Sequence, residues 1–200
     1  MYLTRFTLNT ALLVPLLLTA PAGLAEGRHD HAPHHDDDLA HRQYDSHVHG
    51  MGTLNLVADG SEVHIELDSP AANLVGFEHA PSSATDRAAL HTAVATLNKG
   101  DRLFRFDDDA RCRMAHVHVS SSLLDEQHDD DQHGKEQARP AHADFTVDYR
   151  FECTYPGRLS KLSVGLFEAF QGMQEIELQY IVHDRQGAAE LTVSNPAVKF

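Results

Sequence analysis

The sequence predicts an α+β domain, a mostly antiparallel sheet with two helices packed on one face in the order ββ-α-ββ-α-ββ. Three observations predict it. Runs of alternating apolar residues recur in pairs; two stretches between the pairs carry apolar residues at helical spacing; and Gly, Pro, Asn and Asp stand at the joints. A chain of 200 residues is long enough for one domain of ordinary size, although not all of it is available for folding.

Residues 1–25 read as a secretory signal peptide. Arg5 supplies the positive start, "ALLVPLLLTAPAGLA" is a short apolar run, and small residues close it at Ala20-Pro21-Ala22 or Gly23-Leu24-Ala25. Pro15, Pro21 and Gly23 interrupt the run, which falls short of the roughly 20 apolar residues a membrane span needs. No later segment is apolar enough to span, so the chain does not read as an integral membrane protein. Residues 26–43 follow as a His/Asp-rich segment, with five histidines between positions 29 and 41 and four aspartates between 30 and 38. Such a composition buries too little to fold and is expected to be disordered.

A single domain is expected over residues 44–200. "GTLNLVADGSEVHIELDSP" is a hairpin signal, with Asp59-Gly60 suited to a tight primed turn. That turn would set Leu56 against Val63 and Leu54 against Ile65 on the core face. His47, His49, Met51, Thr53 and Asn55 would then share the outer face with His64, Glu66 and Asp68. "PSSATDRAALHTAVATLNKG" reads as a helix of about 16 residues, started by a capping-box pair, Ser83 and Asp86, and stopped at Gly100. "RCRMAHVHV" and "ADFTVDYRFEC" are two more strands. Between them, at about 120–141, a second His/Asp-rich stretch reads as a mobile insertion. "RLSKLSVGLFEAFQG" is expected to be the second helix, with Leu162, Leu166 and Phe170 in line. "QEIELQYIVH" and "GAAELTVS" would close the domain as a hairpin around Arg185-Gln186-Gly187.

Composition narrows the function. The formal charge of −14 leaves no basic stripe to neutralise phosphates, which argues against nucleic acid as a partner. Sixteen histidines are the anomaly, because imidazole is the commonest side-chain metal ligand near neutral pH. In an exported protein Cys112 and Cys153 are expected to form a disulfide, since neither belongs to a close zinc-binding cysteine pair.

Histidines two positions apart on a strand project about 7 Å apart on one side, workable for two bonds to one ion. His47 and His49 have this spacing, as do His116 and His118. His142 and Asp144 form a third, mixed pair with the His–carboxylate chemistry of ligands and their supports. Asp68 would lie almost diagonally across from His49. Glu78 and His79, in the connection after the hairpin, can reach the sheet's end beside it. A polar outer face is also what an ordinary antiparallel hairpin shows, and His64 reads as a solvated strand residue. The flexible tracts would bind Zn²⁺, Ni²⁺ or Cu²⁺ loosely, because ordering entropy subtracts from each bond. Zn²⁺ fits a His and carboxylate set, although Cu²⁺ competes at such ligands. The chain carries no Gly-x-Ser-x-Gly elbow, His-Glu-x-x-His helix or phosphate loop, so it reads as a binding protein and not an enzyme.

With those residues in view, the chain resembles the zinc-regulated periplasmic zinc-binding proteins of the ZrgA type. The likeness covers roughly residues 44–200 and rests on "HVHGMGTLNL", "IELDSPAANLVGFEHAP", "HADFTVDYRFEC" and "LFEAFQGMQEIELQ" taken together. "FQG" stands where the family pattern has Phe-Pro-Gly, and His183 is peculiar to this chain. The resemblance implies a protein of the Gram-negative periplasm that binds zinc and supports its import through an inner-membrane ABC transporter. Carried over to matching positions, it favours His47, His49, His79, His142 and Asp144 as ligands. Glu66, Asp68 and Glu78 fall in matching stretches without separating ligand from scaffold; His116 and His118 lie outside the pattern. Two alternatives stand beside this reading: a periplasmic buffer or chaperone for excess zinc, nickel or copper, and a zinc-dependent hydrolase with Glu66 or Glu78 as base.

Overall fold

The computed structural model describes residues 48–124 and 143–200. The signal peptide, the 26–43 tract and the 120–141 insertion beyond Leu124 lie outside the described residues, as do His47 and His142. The fold is α+β with a mostly antiparallel mixed sheet. Strand β1 (Met51–Asp59) and strand β2 (Glu62–Pro70) form the first hairpin, followed by a five-residue helix α1 (Ala71–Val75) and the longer α2 (Ala84–Leu97). A one-turn helix α3 (Gly100–Leu103) leads into β3 (Phe104–Phe106), β4 (Cys112–Ser121) and β5 (Asp144–Cys153). Strand β6 (Lys161–Val164), the short α4 (Leu166–Ala169), β7 (Glu175–Val182), β8 (Arg185–Thr192) and β9 (Ala197–Lys199) complete the unit.

Six strands form one sheet in the order β4-β5-β2-β1-β7-β8, antiparallel except for the β1–β7 pair; β3, β6 and β9 make a small second sheet. Alternation decides the faces. Leu54 and Leu56 on β1, Val63, Ile65 and Leu67 on β2, and Phe145, Val147, Tyr149 and Phe151 on β5 are all buried. The residues between them face solvent or are half-buried. Full burial of each such side chain contributes on the order of 1.5–3 kcal/mol. Phe104 meets Tyr149 edge-on at 4.9 Å between centroids, and the Tyr149 hydroxyl donates to the Leu97 carbonyl at 2.9 Å. The small sheet and the end of α2 thus cover the same face of β5.

The capping box of α2 is present: Ser83 Oγ accepts from the Asp86 N–H at 3.1 Å, and Asp86 Oδ2 accepts from the Ser83 N–H at 2.9 Å. The disulfide is present too, joining Cys112 and Cys153, which are register partners on β4 and β5.

Three local expectations are corrected. The first turn is Gly60-Ser61, not Asp59-Gly60, so Leu56 faces Ile65 and Leu54 faces Leu67. Gly60 has φ +57° at the first central position, as a II′ turn requires, which leaves Asp59 in the strand. The shift is by two positions in pairing, so the core and outer faces are kept. The segment expected to be a second helix is mostly β6, with only the four residues of α4 helical. Asp107 accepts the N–H groups of Ser160 and Lys161 at 2.7 and 2.8 Å, and Leu162 and Val164 alternate inward as strand residues do. The last hairpin turns at His183-Asp184, with His183 at φ +55°, and not around Arg185-Gln186-Gly187. Gly187 serves a packing need, since a Cβ there would fall 2.5 Å from the Tyr180 hydroxyl oxygen.

Candidate metal centre

His49, Glu78 and Asp144 lie at the end of the large sheet where β1 and β7 start and β2 stops. Here β1 does not extend back through His49. Gly50 takes φ +89°, a conformation that suits glycine, and the Met51 N–H donates back to the Val48 carbonyl at 3.0 Å. His49 therefore sits on a turn rather than on the outer face of a strand, a correction to its expected placement. The turn is held from two sides. The Gly50 carbonyl accepts from the N–H groups of Gln174 and Glu175 at 2.8 and 3.0 Å, and the Gly50 N–H donates to Asn73 Oδ1 at 2.7 Å.

On the other side of the turn, α1 ends at Gly76 (φ +88°), and the chain reverses into Phe77-Glu78-His79. This brings Glu78 to His49, with 2.9 Å between Nε2 and Oε1. The carboxylate is nearly covered, at 12 % exposure, whereas the imidazole is 67 % exposed. An ionised carboxylate only accepts, so the imidazole Nε2–H is the donor. The neighbouring His79 is fixed differently. Its ring stacks on Phe77 at 5.0 Å and 21°, and its Nδ1–H donates to the Ala80 carbonyl at 2.9 Å. A carbonyl cannot donate, so in the neutral ring the lone pair lies on Nε2, on an exposed side chain.

Asp144 begins β5 as the register partner of Pro70, where β2 gives way to α1. It is half-buried and at the same end of the sheet. The other candidates lie elsewhere. Asp68 pairs with Thr53 and not near Met51, because of the shifted turn, and it accepts from the Thr146 hydroxyl at 2.7 Å. Glu66 accepts from Asn55 at 3.3 Å in the middle of the outer face. His116 and His118 are exposed on β4, an end strand of the sheet, opposite Arg150 and Asp148. His64 lies 3.2 Å from Glu62. Among the described residues, no three His, Cys, Asp or Glu side chains come together closely enough to hold an ion. The His49–Glu78 pair is what the structure assembles.

Sequence reasoning passed over the residues that build this end: Asn73, Gly50, Gly172 and Gln174. A Cβ on Gly172 would fall 2.6 Å from the Asn73 carbonyl oxygen, so the turn before β7 presses directly on α1. A lone Asn inside the apolar stretch "AANLVG" was the available signal, since a buried carboxamide must find partners.

Two comparisons bear on this geometry. The profile of the family described as "ZrgA family zinc uptake protein" matches residues 46–200, which includes His49, Glu78, His79 and Asp144. No curated protein matches the chain.

Proposed function

Starting from the chain's membership of the ZrgA family of zinc uptake proteins, to which it belongs by a match over residues 46–200, we propose that it captures Zn²⁺ in the periplasm and supports its import by an inner-membrane ABC transporter, without catalysing a reaction. The observation that carries the reading is the 2.9 Å contact between His49 Nε2 and Glu78 Oε1. Zinc bonds of about 2.0 Å at a tetrahedral angle separate two donor atoms by roughly 3.3 Å. The pair therefore needs to open by only about 0.4 Å for Zn²⁺ to replace the shared proton. His79 offers Nε2 from the next position in sequence, and the remaining ligand is drawn from His47, His142 and Asp144.

Topology supports the idea of capture. The described chain begins one residue before His49, and Ser121 of β4 lies opposite Phe145 of β5, so the His/Asp-rich stretches of the sequence adjoin, in chain order, segments at the end of the sheet that carries the site. Loose binding by the tracts would raise the ion's local concentration beside the tighter site. The disulfide supports an oxidising compartment. No helix among the described residues is long and apolar enough to cross a membrane, and import is assigned to transporter components.

The test is a Zn²⁺ titration of the whole exported protein against a chelator of known affinity, compared with a His49→Ala/His79→Ala variant. Loss of the tightest site supports the reading, and an unchanged titration rejects it. Deletion of the gene separates uptake from buffering. Poor growth under zinc starvation marks uptake, whereas sensitivity to excess metal marks a buffer.

A further inference from the structure

We infer that Asn73 is the positioning residue of this site, its one carboxamide fixing the His49 turn against the helix that leads to Glu78 and His79; the inference rests on the zinc reading above. Asn73 is 4 % exposed and lies in α1. Its Oδ1 accepts from the Gly50 N–H at 2.7 Å, and its Nδ2 donates to the Met51 carbonyl at 2.8 Å and to Ser69 Oγ at 3.1 Å. The first partner only donates and the second only accepts, so the amide's orientation is set by its neighbours. Only a carboxamide meets both demands. Aspartate keeps the acceptor but turns a carboxylate on the Met51 carbonyl, and leucine leaves both backbone groups orphaned.

The residue is also held in place from behind. Gly172 has no side chain where a Cβ would lie 2.6 Å from the Asn73 carbonyl oxygen and 2.9 Å from its Cα, so α1 has no room to retreat. One side chain thus links the residue after His49 to the helix three residues before the Gly76 reversal. The separation of His49 from Glu78 follows from that link. Supports of this kind, one bond removed from the ion, change metal affinity by about 10–100-fold when lost.

The experiment compares Asn73→Ala and Ser69→Ala with the parent, using the whole protein, Zn²⁺ itself as probe, thermal unfolding of the metal-free form, and ¹⁵N chemical shifts of the His49 ring. Asn73→Ala should lower zinc affinity by about 10–100-fold at temperatures where the metal-free protein is fully folded, and should shift the His49 Nε2 resonance. Ser69→Ala removes one of three partners and should give a smaller loss in the same direction with the fold kept. A folded Asn73→Ala protein with parental affinity and an unmoved His49 signal overturns the inference. Should Asn73→Ala fail to fold, Ser69→Ala decides, and parental affinity there also overturns it. If the His49→Ala/His79→Ala variant retains zinc, the reading beneath has failed; if that variant loses zinc and the Asn73 and Ser69 variants do not, only this inference has.

Discussion

Removing the Cys112–Cys153 bridge should destabilise the folded unit by about 4 kcal/mol. The two cysteines are register partners near the ends of β4 and β5, so the ladder between the strands does not need the covalent link once folded. What the link restrains is the unfolded chain. It closes a loop with a sequence separation of 41 residues. The chain-entropy relation for a loop of that size gives about 13 cal/mol/K, hence the 4 kcal/mol at 25 °C. With an m-value of about 2 kcal/mol/M, the urea midpoint should fall by roughly 2 M. The assay is urea unfolding followed by circular dichroism, comparing the oxidised protein with a Cys112→Ser/Cys153→Ser variant. The bridge lies at the Glu62–Glu152 end of the sheet, and Asp144 and Pro70 lie at the other, eight residues or about 26 Å along the strands. Zinc affinity of the folded variant should therefore equal that of the parent. A midpoint shift worth less than about 1 kcal/mol would refute the loop-entropy reasoning.

Four further outcomes are expected. Glu78→Gln removes the charge facing His49 and should weaken zinc binding at least about 10-fold, and His47→Ala/His49→Ala together should abolish the tight site, both measured by calorimetry. Zinc should be released as pH falls through about 6, because protons compete for imidazole nitrogen; pH-independent binding from 7 to 5 would exclude histidine ligands. The Asp86 carboxyl is held below the usual carboxylate range, first by the Ser83 backbone N–H and then by the Ser83 side chain, with Ser82 adding to both. Its folded value is the lower one, so the stabilisation is complete above the ordinary aspartate value and disappears as pH drops through the depressed one. Ser83→Ala should cost about 1 kcal/mol in thermal unfolding and bring the Asp86 titration, followed by NMR, back toward normal.

The parts of the fold visible in the sequence were those that local physics decides. Ser83 and Asp86 announce the start of α2 because a capping box is made within one turn of chain. Leu54, Leu56, Val63 and Ile65 reveal the core face because a strand alternates, and even the misplaced turn kept that parity. β6 was hidden because its start depends on Asp107, some fifty positions earlier, while Leu162, Leu166 and Phe170 mimic helical spacing. The placement of His49 was hidden for a similar reason. The Gly50 break is held by Asn73 and by Gln174, one from α1 and one from just before β7. Both lie far off in sequence. The residue types of the site could be read directly, whereas its geometry is made by distant hydrogen bonds.

The parallel pairing of β1 with β7 also sets when the site is complete. A chain that emerges from its N-terminus delivers the His49 turn early and the strand that finishes it late. Until Gln174 and Glu175 arrive, the Gly50 carbonyl lacks the two donors that hold the turn, and β1 has a partner on one edge only. Contacts between such remote segments form slowly, since a long stretch must be ordered before they are made. A chain stalled before residue 175 would therefore present His49 with no finished cradle. On the zinc reading proposed above, tight binding would begin only once the last hairpin docks.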